Sequence, residues 1–471
     1  MPIWRKALLA LAPAGAMAKT VFTNATDGKK SVGRTLQTLF TSVLMTGFTL
    51  GISMFTARTL GAEGRGVFVA LLLFPQLLAG FAGIGLPNSF IYHARKYPDH
   101  IPVMLGWTFL FVLLSTTILT LVGSLLVGYA AKGTDWVFLG NMVANLPADL
   151  RGFVVNFLWI AIPIAALAQF TATLAQGLSN FNVFNGARLL LPAAHLILML
   201  LVWTVTRFDA RTAALCYVGA AGIAVVWTLW RFAQYHRPRL SERPAFLRSY
   251  LQYGFGTYGI EILGVFSSQV DKIFILAVLN LRDLGIYSVA FGLSRVLGLL
   301  QNSVASVIFP ATANQPISRV VTSVARAARI SLALSLMAGL PLILFGSPLL
   351  KLVFGHEFAE GALVLQVLVV EVIVSGTAWI LAQAFNSAGR PGLVVARQAI
   401  GLMVGVILLA VLAPRYGAEG VAFALLAGGA VRLLITILCF PWALGCAVPQ
   451  LVPTISDLKF AYRQLTEHRG T

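Results

Sequence analysis

Apolar runs of about 20 residues recur along this chain, separated by short polar stretches. At about 1.5 Å of rise per helical residue, such a run crosses the hydrocarbon of a bilayer. The runs predict twelve spans: 36–57, 67–92, 103–130, 153–176, 187–206, 212–233, 254–280, 285–309, 328–354, 362–388, 393–413 and 418–445. A transmembrane barrel would show alternating segments of about ten residues, and the sequence has none. The pattern therefore predicts an all-α, polytopic membrane protein of about 12 transmembrane helices.

Within this pattern, residues 252–295 break the apolar rule. Glu261, Asp271 and Lys272 interrupt the seventh run, and Arg295 falls near the middle of the eighth. An ionisable side chain at bilayer depth marks a candidate functional site, because an unpaired one is costly there. At about 100° per residue, Gly264, Ser267, Ser268, Asp271 and Lys272 share one helix face. Lys272 and Arg295 both lie roughly 12–15 Å below the far surface, counting from Asn280 and Gly285. Glu371 in the tenth span is placed at a similar depth. Two readings are open: a structural Asp271–Arg295 ion pair that locks a hairpin, or a wet cavity lined by several charges. Glu261, Asp271 and Glu371 are the carboxylates placed within spans and hence the candidate coupling groups for an ion.

Composition agrees with the class. The chain is 58% hydrophobic and 11% charged, with a mean hydropathy of +0.85; a soluble domain carries about 25% charge. The net charge of +18 invites a nucleic-acid reading, but its distribution points to topology. With both termini on one side, 22 Lys and Arg face that side and 10 face the other, while Lys272 and Arg295 stay in the membrane. Arg65 and Arg432 are among the ten, and Arg397 is among the 22. The positive-inside rule then puts both termini in the cytoplasm, with the basic excess meeting anionic membrane lipids. Nucleic acid is not an expected partner.

Residues 1–35 read as a basic cytoplasmic tail, since Pro13 interrupts what would otherwise imitate a signal peptide. The basic linker 234–251 joins six spans (36–233) to six spans (252–445), and 446–471 form a second tail as surface helix or disorder. Gly-Ala-Glu-Gly occurs at 61–64 and again at 417–420, and GRGVFVAL at 64–71 echoes DLGIYSVAF at 283–291. Such weak internal symmetry is common in transporters. Thr38, Ser42, Thr49, Ser53 and Thr56 form a hydroxyl face on the first span, serving either close packing or a cavity wall. Arg34 sits near the cytoplasmic end of that span. Arg188 opens the fifth span, with His195 on its face seven residues on. The three cysteines show no metal spacing.

Chemistry beyond binding is not visible. No P-loop, HExxH, CxxC or GxSxG occurs, and no loop between spans exceeds about 25 residues. The sequence reads as a non-enzyme with no cofactor. Transport energy would come from an ion gradient, the membrane potential or the substrate gradient.

Several stretches then carry a family resemblance. ARTLGAEGRGVFVALLLFPQLLAGFAGIGLPNSFIYHARK at 57–96 resembles the first hairpin of bacterial oligosaccharide flippases. Residues 269–313, from QVDKIFILAVLN to VIFPATA, resemble their seventh and eighth spans. GHEFAEGALVLQVLV at 355–369, NSAGRPGL at 386–393 and PRYGAEGVAFALL at 414–426 resemble their last third. The chain thus looks like a member of the polysaccharide-transporter branch of the multidrug/oligosaccharidyl-lipid/polysaccharide exporter superfamily. The resemblance implies two pseudo-symmetric six-helix lobes around a central cavity and alternating access. It implies a polyprenyl-pyrophosphate-linked oligosaccharide as cargo in the bacterial inner membrane. If an ion gradient drives transport, H⁺ or Na⁺ is the candidate coupling ion, and polysaccharide assembly machinery is a candidate partner. Arg295 and the Asp271-Lys272 pair stand where such flippases place charged cavity residues, and Arg188 and Arg34 would extend the cationic path. No arginine cluster is evident deep in spans one and two, which points away from lipid II and towards an exopolysaccharide or O-antigen unit. The alternatives are a cation-coupled multidrug antiporter of the same superfamily, a major-facilitator transporter, and a membrane polysaccharide polymerase or ligase.

Overall fold

The computed structural model describes residues 28–130, 137–233, 238–240, 244–312 and 315–452. Among these every regular element is helical. They are α1 Gly28–Ala82, α2 Leu86–Lys96, α3 Ile101–Ala130, α4 Val137–Ala144, α5 Ala148–Gly177, α6 Phe181–Val205, α7 Ala210–Ala233, α8 Pro244–Val278, α9 Leu281–Ser294, α10 Val296–Thr312, α11 Ile317–Leu344, α12 Gly346–Val353, α13 Ala362–Ser387 and α14 Pro391–Cys439.

Two of these are pairs of spans meeting at a glycine. Gly61 breaks α1 with φ 69° and ψ −176°, and Gly417 breaks α14 with φ 58° and ψ −142°. Positive φ with such a ψ is nearly closed to residues bearing a Cβ. The repeated Gly-Ala-Glu-Gly in the sequence is therefore the same device used twice. Eight helices are long and apolar enough to cross a membrane, or nine with α9 and α10 counted as one span bent by 42°. Splitting α1 and α14 at their glycines adds two. The helix α8, whose apolar run is interrupted by Glu261, Asp271 and Lys272, brings the described spans to the twelve predicted.

Boundaries differ where polar residues proved helical. Span two ends at Ala82, followed by Ile84 and Gly85 at positive φ and a separate α2; Pro87 starts α2 instead of bending the span. Span nine begins at Ile317, because Arg319, Arg326 and Arg329 continue its helix instead of ending it. Within the linker, α8 already starts at Pro244, a residue suited to the first turn. Residues 1–27 and 453–471, and with them most of both tails, lie outside the described residues.

The chain divides into two compact units: Leu44–Val289 with Val353–Phe358, and the described residues up to Val43 with Ala290–Leu352 and the chain from Ala359. Each has its own core. The first packs Phe90, Met104, Phe170, Leu174 and Tyr250; the second packs Val324, Ala328, Ile380, Phe385 and Phe440. The echo between 64–71 and 283–291 has a structural meaning inside the first unit. A Cβ on Gly66 would fall 1.7 Å from the Leu281 carbonyl oxygen, and one on Gly285 would fall 1.9 Å from that of Ala62. The echo aligns Gly66 with Gly285, and therefore Ala62 with Leu281. The contact is reciprocal, as in an isologous interface, and only glycine allows it.

Candidate functional site

In the second unit, two arginines meet one carboxylate, and a third arginine lies within electrostatic reach of one of them. Glu371 on α13 is 2% exposed. Its Oε2 lies 3.1 Å from Arg295 Nη2; no N–H aligns with that oxygen, so the contact is an ion pair rather than a hydrogen bond. Its Oε1 accepts from Ser375 Oγ at 2.6 Å and from Arg432 Nη2 at 3.4 Å. Arg432 also donates to Ser375 Oγ at 2.9 Å. Arg397, 3% exposed, is within electrostatic reach of Arg432; its Nε has no hydrogen-bond partner among the described residues, and its Cζ lies 6.0 Å from the centre of the Trp379 ring.

The sequence builds this cluster locally. Ser375 is one helical turn after Glu371, so both point the same way. Arg295 occupies the break between α9 and α10, where its N–H still reaches the Phe291 carbonyl and its own carbonyl accepts from Gly298. Its guanidinium rests 4.4 Å from the Phe291 ring centre and stays 41% exposed. Glycines make the room. A Cβ on Gly401 would fall 2.3 Å from Arg432 Cγ, and one on Gly429 would fall 2.6 Å from Ser375 Oγ.

The charged groups of the first unit are held differently. Asp271 is buried and accepts from the Tyr287 hydroxyl at 2.6 Å. Its Oδ1 is buried with no hydrogen-bond partner among the described residues. Lys272 Nζ donates to Gln269 Oε1 at 2.8 Å and to the Ser268 carbonyl at 3.2 Å. Glu261 accepts from the Gly85 N–H at 2.8 Å and so caps the start of α2. Arg188 is half-buried beside the Phe184 ring, 5.0 Å away. It lines a cavity of about 260 Å³ with Thr49, Gln169 and Tyr217. His195 faces the Ala213 carbonyl at 3.3 Å.

Arg65 is 8% exposed and pairs with no carboxylate among the described residues. It donates to Thr56 Oγ1, to Ser53 Oγ at 3.4 Å and to Ser288 Oγ at 3.3 Å. Its Cζ lies 5.3 Å from the Phe68 ring centre.

Several expectations change here. Arg295 pairs with Glu371, whereas the structural-pair reading assigned it to Asp271. The matched depth of Arg295 and Glu371 was the signal for that pair. Arg432 was counted with the charges outside the membrane, yet it lies fifteen residues beyond Gly417, inside the last span. Arg65 was counted outside as well and is buried; Arg397 was counted with the cytoplasmic charges and is also buried. Removing all three from the count leaves 21 against 8, so the asymmetry persists. Spans one and two do bury one arginine, Arg65, gripped by two members of the predicted hydroxyl face. The side chain of Arg34 lies outside the described residues.

With the geometry in view, the comparisons define the class and then the family. The fold is one shared with solved structures of a lipid flippase and of multidrug transporters. It matches a structure of the lipid II flippase MurJ in an inward closed conformation with a TM-score of 0.71 and 14% identity, over 92% of this chain and 91% of that one. It matches an inward-facing multidrug resistance MATE family transporter of the MOP superfamily with a TM-score of 0.62 and 13% identity, over 91% and 96%. A third match is the Vibrio cholerae MATE transporter VcmN in its bent form, with a TM-score of 0.58 and 15% identity, over 92% and 98%. The chain belongs to the polysaccharide biosynthesis protein family, whose model matches residues 33–315. A relative in sequence is a probable low-salt glycan biosynthesis flippase, Agl15, of Haloferax volcanii, 24% identical over 300 residues and 61% of this chain. The chain spans 61% of the length of that curated relative.

Proposed function

We propose that this protein is a flippase that moves a polyprenyl-pyrophosphate-linked oligosaccharide across the bacterial inner membrane by alternating access, for export of a surface polysaccharide. The observation that carries the reading is the pairing of Arg295 and Arg432 with the single carboxylate of Glu371, with the buried Arg397 in electrostatic reach of Arg432. At mid-span an arginine costs roughly 2.5–3.5 kcal/mol on insertion scales, and one carboxylate offsets only part of that for two. A pyrophosphate supplies the missing negative charge, and guanidinium groups match its oxygens bidentately. Arg295 is the primary contact. Lys272, Arg188 and Arg34 extend the cationic path, with Gln169 and Thr49 in the Arg188 cavity as sugar-binding groups.

The lobes of this carrier are residues 36–233 and 252–445, joined by the cytoplasmic linker 234–251 and flanked by cytoplasmic tails 1–35 and 446–471. Coupling to H⁺ or Na⁺ falls to Asp271 or Glu261; Glu371, the third carboxylate expected for this role, is paired with Arg295 and Arg432. Asp271 is the best placed, because one of its buried oxygens is unengaged. That same oxygen favours the second reading, a cation-coupled multidrug antiporter.

Reconstitution in liposomes separates the two. A short-chain polyprenyl-pyrophosphate-linked glycan, loaded in the inner leaflet, should become accessible to an external impermeant glycosidase only with the protein present. Arg295→Ala should abolish this, and Arg295→Lys should restore it only in part, because the planar fork is lost. Cation-driven efflux of a cationic dye, with no movement of the lipid, would favour the antiporter.

A further inference from the structure

The cluster around Glu371 carries an imbalance. Two guanidinium groups, of Arg295 and Arg432, meet one carboxylate, so one positive charge remains without a counter-charge. Arg397, within electrostatic reach of Arg432, adds a buried Nε with no hydrogen-bond partner among the described residues, and the Arg295 side chain is 41% exposed. A carboxylate so surrounded is a poor cation site, because an arriving Na⁺ would meet two like charges within a few ångströms. Its two oxygens instead occupy the positions that oxygens of a bound phosphate would take between Arg295 and Arg432. Ser375, donating to Oε1 at 2.6 Å, helps to hold the carboxylate in that position.

The site is also shaped. Gly401 and Gly429 keep the stem of Arg432 and the Ser375 hydroxyl clear of any Cβ, so the Arg432 fork is seated by the backbone of both halves of α14.

We propose that Glu371 is a resident counter-anion that stands in for the ligand. Arg295, Arg432 and Arg397 form a three-arginine receptor for a phosphate or pyrophosphate group, and Glu371 must give up its arginines for the group to bind. This rests on the reading of the protein as a carrier of a pyrophosphate-linked lipid. A built-in competitor weakens the bound state, which suits a carrier that has to release its cargo after each passage. Filling the empty site with Glu371 also keeps the arginines satisfied between cycles.

The test is direct binding to the purified full-length protein in detergent, with farnesyl pyrophosphate, farnesyl monophosphate and inorganic pyrophosphate as probes. Glu371→Gln removes the competing charge with little change of shape. It should bind farnesyl pyrophosphate about tenfold tighter than the unmodified protein, or about 1.4 kcal/mol. Arg432→Met and Arg397→Met should each bind it more weakly. Ser375→Ala loosens the hold on Glu371 and is the second variant should Glu371→Gln fail to fold; tighter binding is expected there too.

Unchanged or weaker binding by Glu371→Gln overturns the counter-anion role, as does unchanged or weaker binding by Ser375→Ala where that variant stands in. If the unmodified protein still binds farnesyl pyrophosphate through Arg295, the flippase reading survives that result. Equal tightening for inorganic pyrophosphate and for the lipid keeps the receptor but removes the lipid as its special ligand. Absence of binding by every variant and probe sinks both.

Discussion

Arg65 is buried and Arg432 half-buried in membrane spans, and their surroundings are opposite. Arg65 is held by three hydroxyls from Ser53, Thr56 and Ser288, beside a glycine seam that admits no extra atom. No carboxylate shares its site among the described residues. Arg432 meets a carboxylate, and that carboxylate also meets Arg295, which is still partly exposed. The first arrangement satisfies a cation with neutral groups in a closed place. The second assembles more positive charge than it neutralises and leaves one arginine accessible. On the function proposed above, the difference separates an arginine built into the packing from arginines arranged to receive a ligand.

Substitutions break or sharpen this contrast. The largest expected effect is Arg432→Met, which leaves Glu371 buried with one partner fewer. Breaking a buried pair in this way costs about 3–5 kcal/mol, read as a large drop in melting temperature of the detergent-solubilised protein. Gly66→Ala should come next. Its Cβ would meet backbone 1.7 Å away, so α9 must move, and overpacking of this kind costs about 1–3 kcal/mol. Gly285→Ala should behave alike if the seam is truly reciprocal. Ser375→Ala removes one hydroxyl donor to a charged group and should cost roughly 1.5–3 kcal/mol at most. Arg65→Met should have the smallest effect, unchanged or slightly stabilising. A buried cation is exchanged for an apolar side chain of similar length, and Thr56 keeps its bond to the Ile52 carbonyl. A severe loss with Arg65→Met would erase the contrast.

Much of this was legible from the residues. Apolar run length placed the twelve spans, and the Gly-Ala-Glu-Gly repeat marked both glycine-broken hairpins. Arg295 and Glu371 were singled out, and their similar depth was the one clue to their meeting. Their pairing was not legible, because depth along a helix says nothing about which neighbour it faces. Arg432, Arg397 and Arg65 were missed for a different reason. Arg65 and Arg397 sit near enough to a predicted span end for a charge count to place them in water, whereas Arg432 lies in the middle of the predicted last span and was miscounted. Only packing reveals the glycines, Gly401 and Gly429, that make room for Arg432. Glu261 shows the converse: a carboxylate in an apolar run whose visible partner is a backbone N–H at the start of α2.

The central claim is that Arg295, Arg432 and Glu371 lie in the spans to hold an anion. Stripping the cluster of charge tests it most directly. The triple variant Arg295→Met, Glu371→Gln, Arg432→Met removes the carboxylate together with both arginines that pair with it, so it should insert and keep its melting temperature. Translocation of the pyrophosphate-linked glycan in liposomes should then be lost. A triple variant that folds and still translocates at the normal rate would contradict the claim and leave the cluster a structural ion pair.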